Sequence, residues 1–192
     1  MDQSQSIPLA KKLLLVYGST TPPGRTFTLL QHLEKEVNLS HPNVAVEIVK
    51  PSPFESSSLY YWRDEDLEKV EESQAIIVAS PVYRASFPAI LKSLFDALPV
   101  KALRSKPVAL VTVGNVAEHY LGVERHFQDI LAWFGALYVP ATCYILAHAL
   151  NDGIPDDIRD QLKQLTESTL YLADVLANKK LGPKPLAEIY GR

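Results

Sequence analysis

Ala79-Ser-Pro-Val-Tyr-Arg-Ala-Ser-Phe-Pro-Ala-Ile-Leu-Lys-Ser-Leu-Phe-Asp96 carries an apolar strand, begun at Ala75, through a Ser-Pro-Val-Tyr turn and into an amphipathic helix. In open α/β sheets the carboxyl end of a strand is where a flat, hydrogen-bonding ligand is received. Pro81 fixes φ and Tyr83 supplies a planar face, so Ser80 to Arg84 can be held rigid against a ring system. Backbone N–H groups from Val82 onward face polar atoms on such a ring's edge, and Arg84 is suited to negative charge there. The competing reading is a strand-to-helix turn with an exposed Tyr and Arg.

Outward from this stretch, strands and helices alternate. Apolar runs at Leu13–Tyr17, Val44–Val49, Ala75–Ala79, Pro107–Val113 and Leu137–Leu146 read as buried strands. Helical spacing of apolar residues follows from about Arg25 to Val37, Phe87 to Ala97, Glu118 to Phe134 and Asp156 or Asp157 to Ala177. Asp64 is placed to cap a short helix from Glu65 to Ser73, after an irregular segment opened by Pro51 and Pro53. Residues 1–11 read as a loose leader, and 179–192, with Gly182, Pro183 and Pro185, as an extended arm. No repeat or linker interrupts the rest, so 1–192 reads as one domain. Alternation of this kind implies an α/β fold, a parallel sheet covered by helices on both faces. With right-handed crossovers, five strands fit the order 2-1-3-4-5, whose switch point joins the loops after Tyr17 and Ala79.

Composition narrows the partners. A net charge of −3 without a Lys/Arg cluster argues against nucleic acid. Cys143 is the single cysteine, which excludes an internal disulfide and a cysteine-rich zinc site, and a reducing, cytoplasmic setting is the expectation. No apolar run approaches membrane-spanning length.

The loop after the first strand, Gly18-Ser-Thr-Thr-Pro-Pro-Gly-Arg-Thr-Phe-Thr28, offers hydroxyls, backbone N–H groups and the Arg25 guanidinium at a helix start. Helix N-termini favour anions, and Arg is suited to phosphate. Five residues separate Gly18 from Gly24, and Arg rather than Lys follows, so the NTPase phosphate loop is not matched. Nor are the three close glycines of the dinucleotide fingerprint present. What remains is a cradle for one phosphate, or else hydroxyls that merely cap the helix. At the end of the fourth strand, Gly114 permits close backbone approach and Asn115 can donate and accept. His119 and Tyr120 follow. No metal-ligand spacing and no Ser/His/Asp arrangement stands out, and no catalytic side chain is assigned.

On Gly18-Ser19 with Arg25-Thr26, Ser80-Pro-Val-Tyr83 with Ser86 and Leu91-Lys92, and Gly114 with His119, the chain resembles the NADPH-dependent FMN reductase family over residues 13–177. The branch that serves alkanesulfonate monooxygenases is the nearest in pattern. The resemblance implies a flavodoxin-like three-layer sandwich. It implies FMN as cofactor, NADPH or NADH as hydride donor, and a further acceptor such as free flavin, a quinone, an azo compound or a metal ion. By the same resemblance Ser19, Arg25, Thr26 and Phe27 hold the phosphate, and Pro81, Val82, Tyr83, Arg84 and Ser86 border the isoalloxazine. Gly114, Asn115 and His119 stand at its other side. Homodimers or homotetramers are implied, possible partners including a flavin-dependent monooxygenase. Thr20-Thr21 stands where members commonly carry a second basic residue, which implies looser FMN; Asn115 replaces a frequent second Gly. In such a site the flavin does the redox chemistry and the protein supplies stacking and electrostatics. The rival from another class is a non-enzymatic flavodoxin-like electron carrier, which the mild charge disfavours. Broad apolar faces at Phe87–Phe95 and Trp133-Phe134 point to subunit contact.

Overall fold

A computed structural model describes residues 11–20, 24–55, 57–177 and 179–190. The leader expected at 1–11 lies outside these apart from Lys11, which opens the first strand. The elements run β1 (Lys11–Tyr17), α1 (Arg25–Ser40), β2 (Val44–Val49), β3 (Ser52–Pro53), β4 (Tyr60–Tyr61), α2 (Asp64–Glu72) and β5 (Ala75–Pro81). They continue with α3 (Ala89–Ala97), β6 (Pro107–Gly114), α4 (Tyr120–Phe134), β7 (Leu137–Tyr138), β8 (Cys143–Leu146), α5 (Asp156–Leu176) and α6 (Leu186–Tyr190).

The main sheet is parallel, in the order β2-β1-β5-β6, with both β7 and β8 on the outer side of β6. This is the expected 2-1-3-4-5 order with its fifth strand divided. Four residues, Val139–Thr142, stand opposite only Ala109 and Leu110, because β7 stops against Val108 and β8 resumes at Val111. Pro140 lies in that bulge, where its missing N–H removes a ladder bond. The separate β3–β4 pair fills the segment expected to be irregular.

Strand side chains alternate between two cores, as a period of two dictates. Leu13, Leu15, Tyr17, Ile77, Val111 and Ile145 meet α1 and α5 on one face. Leu14, Val16, Ile76, Val78, Val108 and Leu110 meet α2, α3 and α4 on the other. The sheet is therefore buried on both sides, and its strand ends are the surfaces left for ligands.

Two local expectations change. Helix α2 is capped from Arg63, one residue earlier than expected. The fully buried Asp66 carboxylate reaches back to accept from the Arg63 backbone N–H at 3.1 Å and from its guanidinium at 3.0 Å. The C-terminal arm is not extended throughout. Leu181 N–H donates to Ser105 Oγ at 3.0 Å, α6 follows, and Glu188 forms a mostly buried ion pair with Arg104. Gly135 closes α4 at φ 66, and Pro185 packs where its side chain would stand. No helix among the described residues is long and apolar enough to cross a membrane.

Candidate active site

Neighbouring strands β1 and β5 continue into opposite halves of the sheet, β2 beyond one and β6 beyond the other. At their carboxyl ends lies a cleft of about 240 Å³. Three strand-end loops contribute to it: Ser19, Gly24, Arg25 and Thr26 after β1; Pro81, Val82 and Tyr83 after β5; Asn115 after β6. The crevice at a topological switch point is the expected ligand position for this class of sheet.

The first loop is built around Gly18. Its N–H donates to Ala79 O at 2.8 Å, and a side chain there would stand 2.9 Å from Leu91 Cδ2. Glycine thus lets α3 pack directly beneath the loop. Helix α1 begins at Arg25 with Gly24, which has no side chain of its own to cap it, as its N-cap, and its first turn carries no acidic residue. The positive end of the helix opens at the cleft, where Gly24, Arg25 and Thr26 form part of the wall. Ser19 and Thr26 are buried. The Arg25 guanidinium is held by Asn151 Oδ1 at 2.6 Å, across 126 residues of sequence. Phe27 sits elsewhere: its ring meets Tyr17 edge-on at 5.2 Å with Lys50 Nζ 5.4 Å above it, against the α1–α5 core.

The second loop is tighter than expected. Val82 N–H donates to Val113 O at 2.8 Å, and Tyr83 and Ser86 exchange backbone bonds of 2.7 and 3.1 Å. The N–H groups of Val82 and Tyr83, expected to be open to a ring edge, are thus committed to the fold. Between them and Ser86, Arg84 and Ala85 carry φ of 52° and 61°. Two positive values at the centre of a turn are the pattern of type I′, unusual without Gly or Asn. The turn is braced from α4: a side chain on Gly122 would meet Ala85 O at 2.9 Å, and His126 Nδ1 lies 3.2 Å from Ser86 Oγ. Arg84 and Ser86 belong to this brace and do not line the cleft, whereas half-exposed Tyr83 does.

In the third loop Asn115 lines the cleft, but Gly114 and His119 do not. Gly114 is buried under Tyr144, and His119 is the half-buried residue that precedes α4. Sequence reasoning passed over several residues that the fold brings in: Tyr17, Gly24, Val113 and Ala147 on the cleft wall, Asn151 behind Arg25 and Tyr144 behind the third loop. Tyr17 had a signal, as the polar end of an apolar strand immediately before the loop. Its phenol shares a hydrogen bond with Ser19 and lies within electrostatic reach of Tyr83; burial raises its pKa, the Ser19 bond opposing and Tyr83 adding. A larger hollow of about 430 Å³ lies between α3 and α4, bordered by Phe95, Ile130 and Trp133. It receives none of the three loops, so it is not the candidate active site.

The family described as NADPH-dependent FMN reductase matches residues 11–151. The chain belongs to it. The matched span holds all three loops of the reductase and ends at Asn151, the partner of Arg25. The NADH-dependent FMN reductase SfnF of Pseudomonas fluorescens is 31% identical over 140 residues, 69% of this chain and 75% of that protein. An FMN reductase (NADPH) of Pseudomonas aeruginosa is 31% identical over the same length and shares. Among solved structures, the apo form of NADH:FMN oxidoreductase (EMOB) superposes with a TM-score of 0.67 at 18% identity, over 88% of this chain and 91% of that one. An archaeal flavodoxin superposes at 0.59 with 17% identity, covering 84% and 98%. At these identities the superpositions speak to the flavodoxin-like fold. Membership of the family makes the protein an NAD(P)H-dependent FMN reductase, and the electron-carrier alternative gives way.

Proposed function

We propose that the cleft takes FMN with its phosphate at the start of α1 and its ring along Pro81–Tyr83. The observation that carries this is the meeting, in one cleft, of the start of α1 with Arg25 and the rigid, aromatic β5 turn. The residues fit the group: the phosphate end offers a cation and the Ser19 and Thr26 hydroxyls, and the ring end offers the Pro81, Val82 and Tyr83 surfaces. When bound, FMN accepts a hydride from the reduced nicotinamide and passes two electrons to a secondary acceptor.

In this reading Arg25, fixed by Asn151, neutralises the phosphate, while Ser19 and Thr26 donate to it. Tyr83 and Pro81 orient the ring, and Asn115 bonds its far edge. Phe27, Ser86, Gly114 and His119 support these residues from behind.

At about 240 Å³ the cleft is smaller than the roughly 300–1,000 Å³ usual for enclosed ligands. That supports FMN that exchanges during turnover, and a homodimer or homotetramer in which a second copy completes the cover. The hollow beside Trp133 is the proposed contact surface. NADPH is the proposed donor with NADH as its competitor, since the two Pseudomonas relatives are named for different donors. The proposed acceptor is free flavin handed to a monooxygenase in the cytoplasm, with quinones, azo compounds and metal ions as other outlets.

Steady-state oxidation of NADPH and NADH at varied FMN tests the reading. The expected result is saturable, FMN-dependent oxidation; protein that gains no flavin absorbance and oxidises neither donor overturns it.

A further inference from the structure

We infer that Tyr144 is the positioning residue of the third loop, and that residue 114 is glycine to admit Tyr144 rather than the ligand. Gly114 closes β6, and its φ lies outside the left-handed region, so backbone conformation does not require glycine there. Space does. A Cβ on Gly114 would stand 1.9 Å from Tyr144 Oη and 2.7 Å from Cζ. The wall of the cleft passes from Val113 to Asn115 and skips Gly114.

Tyr144 lies on β8, opposite Thr112 in register. Its ring crosses the end of β6 at Gly114, and its hydroxyl donates to Val116 O at 2.5 Å. Tyr120, at the start of α4, packs edge-on against it at 6.3 Å. Asn115 is therefore flanked on both sides by contacts of one side chain, with Gly114 beneath the ring and Val116 held by the hydroxyl. Asn115 and Val116 are themselves exposed. Val116 is also the N-cap residue of the short 3-10 turn Ala117–His119, so the Tyr144 bond ties that turn, and Asn115 before it, to β8. Burial, and secondarily Glu118, raise the phenol's pKa, so the hydroxyl keeps the proton it donates. Tyr144 thus acts on the ligand through Asn115.

The functional readout rests on the FMN reading; the steric claim does not. FMN affinity would be measured by flavin fluorescence quenching for the wild type, Tyr144→Phe, Gly114→Ala, Tyr144→Leu and the double variant G114A/Y144L. Loss of one hydrogen bond predicts an FMN Kd raised about three- to tenfold in Y144F, with a shifted visible spectrum of bound flavin. G114A is expected to match or exceed that loss, and the double variant to bind no more weakly than Y144L alone. An unchanged Kd and spectrum in Y144F overturns the inference. So does a G114A penalty as large in the Y144L background as in the wild type. Melting temperatures of the four proteins of the cycle, taken without FMN, measure the same contact. Strong coupling supports it, and additive shifts overturn it even if no variant binds flavin. Failure of the wild type to bind FMN would count against the reductase reading alone.

Discussion

The two loops that face each other across the β1–β5 crevice are built in opposite ways. After β1, Ser19, Thr26 and Arg25 bring hydroxyls and charge to a helix start whose N-cap residue is glycine. After β5, the chain satisfies itself: Val82, Tyr83 and Ser86 all donate to backbone carbonyls, and two residues accept left-handed conformations to close the turn. One loop gathers polar side chains around a helix start, while the other ties its backbone into a fixed shape. Tyr17 stands between them, bonded to Ser19 and near Tyr83. Substitutions in the first loop should therefore act on affinity, and those in the second chiefly on stability.

The largest expected effect is on the first loop. Arg25→Ala removes the cation that Asn151 holds at the cleft. Charge-assisted bonds contribute roughly 1.5–3 kcal/mol, so FMN should bind about ten- to a hundredfold more weakly. Riboflavin, which lacks the phosphate, should bind R25A and the wild type alike, and the melting temperature should barely move. A variant that loses riboflavin as badly as FMN would place Arg25 at the ring and break the comparison.

A middle-sized effect is expected in the second loop, with the opposite signature. Gly122→Ala puts a methyl 2.9 Å from Ala85 O, and overpacking of this kind costs about 1–3 kcal/mol. Ala85→Gly should do the reverse. Relief of a left-handed residue is worth about 1–2 kcal/mol, offset by about 0.5–1 kcal/mol of added chain entropy. Urea unfolding without ligand should rank A85G above the wild type and G122A below it. If G122A were as stable as the wild type, α4 would not brace the turn.

Much of this molecule was legible in the sequence because its signals are local and periodic. The β-branched runs and the 3.6-residue spacings bring out the alternation, and the switch point follows from the strand order. Arg25, Ser19, Thr26, Pro81, Val82, Tyr83 and Asn115 share a cleft because each lies at the carboxyl end of a strand or in the loop and helix start that follow it. The rest depended on partners distant in sequence. Asn151 meets Arg25 across 126 residues, and Tyr144 meets Val116 across 28, with no spacing to announce either. The N–H groups of Val82 and Tyr83 look free until the register of β5 against β6 assigns Val82 to Val113. Helix α6, of 5 residues between breakers, has no period to read and owes its place to Arg104 and Pro185. Pro140 was visible as a breaker, yet division of a strand into two needs the β6 register to be recognised.

The smallest effect sharpens the comparison from inside the second loop. His126 Nδ1 and Ser86 Oγ are 3.2 Å apart, and His126 is exposed. Two backbone bonds already close the turn and Gly122 braces its outer side, so this third contact is redundant, and water can replace it in either side chain. His126→Ala should cost no more than about 0.5 kcal/mol, at the low end for a hydrogen bond. FMN affinity in H126A should stay within about threefold of the wild type. A loss of tenfold or more would show that the shelf is not self-sufficient and depends on His126 for its shape.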